Sequence, residues 1–145
     1  MISTETPAPT RSRAARIRYR LLVVGLSIVA ALAVWGIATL AGAELEVTSP
    51  LVGTLTIDAT LVIVSALPLA LAAWGVLALL ERFTPRARTS WTIVAVAVLV
   101  LSIPPLGLLG ATIGTTVALG IMHLATGLTL ILLLRRGARG SSRDR

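Results

Sequence analysis

Cysteine and lysine are both absent from this chain of 145 residues, histidine occurs once, and one tyrosine, one phenylalanine and three tryptophans are its only aromatics. Without cysteine there can be no disulfide, thiolate metal site or cysteine nucleophile. With His123 as the sole histidine, one copy of the chain offers at most one strong metal or haem ligand. Acids are scarce as well: six against thirteen positive residues, all arginine, for a net charge of +7 and a pI near 11.8. A balance that basic raises the question of nucleic acid. Single-strand binding uses aromatic rings among the basic residues to stack bases, and only Tyr19 and Phe83 lie near the arginines. No nucleic-acid partner is expected. Catalytic signatures are missing too: no His-Glu-x-x-His, no Gly-x-Ser-x-Gly, no phosphate-binding glycine loop and no pair of carboxylates inside an apolar stretch. The chain reads as a non-enzyme with no cofactor and no metal.

What the chain does have is apolar length. Hydrophobic residues make up 56% and charged residues 13%, and the mean hydropathy of +0.94 is too high for an ordinary soluble domain. Apolar stretches of about 20 residues read as membrane-crossing helices, and four are expected, at 21–42, 57–80, 91–109 and 115–134. From Trp91 to Leu134 no charge occurs at all. At about 1.5 Å per residue that stretch makes roughly 66 Å of helix, two crossings of a core about 30 Å thick. It must fold back, and Pro104-Pro105 with Gly107, Gly110 and Gly114 marks the reversal. The fold class is therefore an all-α, four-helix transmembrane bundle over 21–134. Residues 1–20 are expected as a disordered basic segment, with Tyr19 at the headgroup level, and 135–145 as a disordered basic tail. The first span exceeds the apolar core of a signal peptide and reads as uncleaved, although Ala41-Gly42-Ala43 resembles a cleavage site.

Charge sets the orientation. The arginines fall in three clusters, Arg11 to Arg20, Arg82 to Arg88 and Arg135 to Arg145. With four spans all three lie on one side, and the other side carries Glu44, Glu46 and Asp58 without a base. The positive-inside rule puts both termini in the cytoplasm of a bacterial plasma membrane, with the arginine clusters against anionic lipid headgroups. The acids Glu44, Glu46 and Asp58 form a candidate external patch for cations. Against it stands the plainer reading of a solvated loop with Asp58 as a helix cap. The connecting loop alternates Leu45 and Val47 with Glu44, Glu46 and Thr48, which suits a short extended piece.

His123 is the one ionisable group deep in an apolar span. Its helical neighbours Thr116, Leu119, Gly120, Thr126, Gly127 and Leu130 are mostly small or weakly polar, whereas Val117, Ile121, Leu124, Leu128 and Ile131 are bulky. Small faces pack against helices and bulky ones meet lipid, so His123 should face the bundle. It lies about 17 Å from the cytoplasmic end, level with Ser102 at about 17 Å, with Ser65 further out at about 22 Å. Ser102 is the first candidate hydrogen-bond partner and Ser65 the second. Of Trp91, Trp35 and Trp74, the first reads as an interfacial anchor and the others as packing between helices. Pro68 should kink the second span.

Ala72–Trp74 before Glu81-Arg82, Trp91 opening the third span and Ile121–Leu124 (Ile-Met-His-Leu) in the fourth are the residues of a resemblance. The chain resembles a family of small actinobacterial four-span integral membrane proteins with a domain of unknown function. The resemblance spans most of residues 21–136 and implies four spans, and it assigns no function because the family's activity is not established. Three functions remain in view. The favoured one is a non-enzymatic component that packs with itself, as a homo-oligomer, or with a membrane partner protein. The alternative is a small transporter or proton-coupled carrier with His123 in the path. A distant third is a haem- or quinone-linked membrane protein.

Overall fold

The computed structural model describes residues 13–50, 53–108 and 110–138. Helix α1 runs over Arg13–Leu40, strand β1 over Glu46–Ser49, β2 over Gly53–Thr56, α2 over Ala59–Phe83, α3 over Ala87–Ser102 and α4 over Ile113–Gly137, with a short 3-10 helix at Pro104–Leu108 between the last two. Four helices are long and apolar enough to cross a membrane, the third including the 3-10 turn. The architecture is the all-α four-helix bundle expected, with a small antiparallel hairpin at one end.

Each helix passes its expected apolar span on the arginine side, because helical hydrogen bonding does not stop where hydropathy falls, while α3 stops at Ser102, short of the expected 109. Helix α1 starts at Arg13, so residues 13–20, expected to be disordered, form its first two turns. Alanine and arginine are among the better helix formers, and Arg20 gains a buried partner there. Helix α4 likewise continues through Arg135 and Arg136 to Gly137. The expected disorder of 1–12 and 139–145 falls outside the described residues. Helix α1 stops at Gly42, whose φ of +79° suits glycine. The Ala43 N–H donates to Ala38 O and the Gly42 N–H to Thr39 O, each at 3.0 Å, the two bonds of a Schellman end. Asp58 caps α2 by accepting from the Leu61 N–H at 2.7 Å, and Thr112 caps α4 by accepting from the Thr115 N–H at 3.2 Å. Helix α2 runs on through Pro68. Helix α3 ends at Ser102 because Pro104 and Pro105 lack the N–H groups that would continue the ladder.

Helix α1 packs most extensively on α4 and next on α2, and α3 packs on α4 and α2. Two apolar clusters follow one another along the bundle axis. One joins Val23, Val24, Ala70, Leu77, Trp91, Leu130, Leu134 and Ala138. The other joins Ala31, Leu45, Ile57, Val62, Ala118 and Met122. Ser27 of α1 and Thr126 of α4 are buried at intermediate positions on their helices. The start of α1, the α2–α3 turn and the end of α4 meet at the first cluster, which we call the arginine end. The hairpin and the α3–α4 connection meet at the second.

The extended piece expected in the 43–56 loop is a hairpin in which Glu46 pairs with Thr56, Val47 with Leu55, Thr48 with Thr54 and Ser49 with Gly53. Thr48 and Gly110 also exchange backbone bonds, N–H to O at 2.8 Å one way and 3.0 Å the other. A Cβ at Gly110 would meet Thr48 Cβ and O at 3.3 Å, so glycine is there for a close backbone approach. Leu45 adopts φ +49°, a left-handed conformation that costs a leucine roughly 1–2 kcal/mol. Its side chain, 3% exposed, packs in the second cluster, and burying a leucine gains roughly that much or more.

Candidate functional site

Helix α4 buries Thr115, Ala118, Met122, Thr126, Leu130, Ile131 and Leu134. That stripe is rotated slightly from the expected one: Val117, Ile121, Leu124 and Leu128 are exposed as foreseen, but Ile131 is buried. His123 lies at the flank of the stripe, half-buried. Four residues on, Gly127 faces α3, where a Cβ would meet Leu99 Cδ1 at 2.7 Å. His123 and Gly127 share a helical edge, so the imidazole sits on the side toward α3.

The hydrogen bond of that imidazole corrects the expected pairing. His123 Nδ1 meets Leu119 O at 2.8 Å, in its own helix. The Ser102 hydroxyl donates to Leu99 O at 2.7 Å, also in its own helix. Ser65 is exposed, outside the buried stripe Val62, Ala66, Ala70 and Leu77 of α2. Sequence depth assigned Ser102 a level, but depth carries no information on direction. A β-hydroxyl three residues after a helical carbonyl satisfies itself locally. Ser27 donates to Val24 O and Thr129 to Ala125 O in the same way.

Polar side chains bridge helices at the two ends instead. At the arginine end, Arg20 Nη2 donates to Glu81 Oε1 at 2.6 Å, with both side chains nearly buried. Tyr19, expected at the headgroups, lays its ring over Gly137, where a Cβ would come within 2.6 Å of Cε1. Its hydroxyl donates to Leu133 O at 2.8 Å. Trp91 is not an interfacial anchor: it is 3% exposed in the first cluster, and its Nε1–H meets no acceptor. At the hairpin end Trp35 Nε1 donates to Ile57 O at 2.9 Å, tying α1 to the entry of α2. Trp74 packs against the first cluster, between helices as expected.

Glu44, Glu46 and Asp58 are exposed at the hairpin end, and Asp58 spends an oxygen on its helix cap. Among the described residues no three of His, Cys, Asp and Glu gather as metal ligands. Two cavities lie at the opposite end. One of about 230 Å³ is lined by Arg13, Arg16, Ile17, Arg20 and Glu81. The other, of about 420 Å³, is lined by Arg88, Leu132, Arg135 and Arg136. Sequence reasoning missed the Arg20–Glu81 pair. The one signal was that Glu81 is the single acid between the second and third spans, on the arginine side.

Comparison with curated proteins and with solved structures finds no match. The model of a family of unknown function (DUF6069) matches residues 11–140. That stretch holds all four helices, the hairpin and the Arg20–Glu81 pair, and the chain belongs to this family of unknown function, DUF6069.

Proposed function

We propose that this protein is a non-enzymatic component of an actinobacterial plasma membrane, with both termini cytoplasmic, and that it works by packing with copies of itself or with a membrane partner protein. One observation carries the reading: the polar side chains in the middle of the bundle bond to their own helices rather than converging on a common point. Ser27, Ser102, His123 and Thr129 each meet a carbonyl three or four residues earlier. A carrier or redox site needs such groups turned toward a shared path. Helix α3 adds support, because it buries only Ala87 and Trp91 and leaves Ile93, Val98, Val100 and Leu101 exposed to lipid or to another helix.

Crosslinking in cells followed by mass spectrometry tests the proposal. Crosslinks from α3 to a second copy or to one membrane protein are expected. Proton or solute flux in vesicles that His123→Leu abolishes, while the fold survives, would replace this reading with the carrier. Topology has its own test, which the lack of cysteine makes clean. Thr54→Cys in the hairpin should react with an impermeant maleimide outside intact cells, and Thr89→Cys should not. Labelling of Thr89→Cys from outside overturns the orientation.

A further inference from the structure

The smaller cavity at the arginine end has features that plain membrane-surface charge does not require. Arg13, Arg16 and Arg20 stand at i, i+3 and i+7 on α1 and line it together with Ile17 and Glu81. Arg20 is only 6% exposed. Its Nη2 is held by Glu81, and its Nε–H is buried without an acceptor. An arginine uses its N–H groups as a planar fork matched to two oxygens on one centre. Here one edge of the fork is occupied by a carboxylate and another N–H is left without a partner. Three guanidinium groups against one carboxylate give the lining a surplus of positive charge, and the volume of about 230 Å³ is large beside the about 30 Å³ of a single water.

The place of the cavity selects the kind of anion. Arg20 is the last charge before the apolar run of α1, and Leu21 follows it. Ile17 in the lining and Leu21 one turn further share a helical face, and Leu21 is exposed. An anion seated at Arg20 therefore has apolar helix directly beneath it, a surface that suits an acyl chain and that a soluble phosphate ester would not use.

We propose that Arg13, Arg16 and Arg20 form a site for the phosphodiester of an anionic phospholipid. Its oxygens accept from the Arg13 and Arg16 guanidinium groups, the buried Arg20 adds positive charge beneath them, and an acyl chain lies along Leu21. Glu81 is a positioning residue that holds Arg20. The inference rests on the membrane orientation proposed above, in which this end meets the anionic leaflet. Choline headgroups cancel the phosphate charge, so the site discriminates against them.

Native mass spectrometry of the full chain in detergent tests this, with phosphatidylglycerol or phosphatidylcholine added and the lipid-bound fraction read. Phosphatidylglycerol should be retained about tenfold better, the factor a modest difference in charge-assisted bonding makes. The double variant Arg13→Gln/Arg16→Gln touches less buried side chains than Arg20 and should lose that preference. Arg86→Gln, in the α2–α3 turn outside the cavity, should keep it. The pair Arg20→Gln/Glu81→Gln preserves the shape without charge and should also lose it while circular dichroism stays helical. Equal retention in Arg13→Gln/Arg16→Gln and the wild type, or equal loss in Arg86→Gln, overturns the site. Displacement of the lipid by millimolar inorganic phosphate overturns the lipid as its occupant. Binding in detergent reads the cavity whichever side of a membrane it lies on, so failure here and failure of the maleimide labelling are separable.

Discussion

At the arginine end, helices are tied by side chains: Arg20 to Glu81 between α1 and α2, and Tyr19 to Leu133 O between α1 and α4. At the hairpin end the backbone does most of that work, through the β1–β2 ladder and the Thr48–Gly110 bonds, with side chains adding Trp35 on Ile57 O and the Thr48–Thr54 hydroxyl pair. The acids at that end stay in water. The difference follows from where each charge sits. An ion pair withdrawn from water depends on both partners, whereas exposed carboxylates on a hairpin depend on nothing nearby. The ends should therefore respond very differently to the loss of one charged side chain.

The largest effect is expected at Glu81. Glu81→Ala strands a buried guanidinium and should cost about 3–5 kcal/mol, whereas Glu46→Ala at the hairpin should stay within about 0.5 kcal/mol. Thermal unfolding in detergent followed by circular dichroism compares the two, and equal losses would break the distinction between the ends. Replacing both partners, Arg20→Met with Glu81→Leu, should be near neutral or stabilising, because it removes the desolvation cost along with the bond.

Next comes Gly137. A methyl there intrudes on the Tyr19 ring, so Gly137→Ala should lose about 1–3 kcal/mol by overpacking, together with the bond to Leu133 O. Gly75→Ala in α2, where a Cβ meets nothing within 4 Å, should be neutral or gain up to about 1 kcal/mol. The hairpin end has a counterpart in Trp35→Phe, which removes one N–H donor and should cost about 1 kcal/mol. Asp58→Ala should cost about 1 kcal/mol through the lost cap, and Asp58→Asn almost nothing. If Asp58→Asn proves as costly as Asp58→Ala, the charge is used for more than capping.

A small effect is also expected at His123, between the two ends. Its one bond runs to its own helix, so His123→Leu should change stability by less than about 1 kcal/mol in detergent. A larger loss would show that the imidazole bridges to α3.

Periodicity and depth carried the reading of α4 a long way. Val117, Ile121, Leu124 and Leu128 were legible as outward-facing because bulky residues at helical spacing face lipid. Ile131 was not, because the helix turns slightly past a fixed stripe over several turns. Helical rise assigns Ser102 a depth but says nothing of its rotamer. A serine in a helix has a carbonyl within reach of its own hydroxyl and needs no partner elsewhere. Trp91 shows the same limit from the other side. Its place at the start of the third apolar run suggested an interface, but α3 begins four residues earlier and carries the ring into the core.

By itself, the amino-acid order determined four membrane-length helices, the gathering of arginines at one end and the reversal at Pro104-Pro105. These depend on the length of apolar runs, on charge placement and on missing N–H groups, all local properties of the chain. Only the tertiary structure decided that Arg20 is buried against Glu81 rather than solvated, that Tyr19 lies on Gly137, that Thr48 bonds Gly110, and that His123 turns to Leu119 O. The first three depend on how helices or loops far apart in sequence rotate and approach one another, and the last on which rotamer the surrounding packing leaves to the imidazole. That is settled by the close packing of many side chains at once.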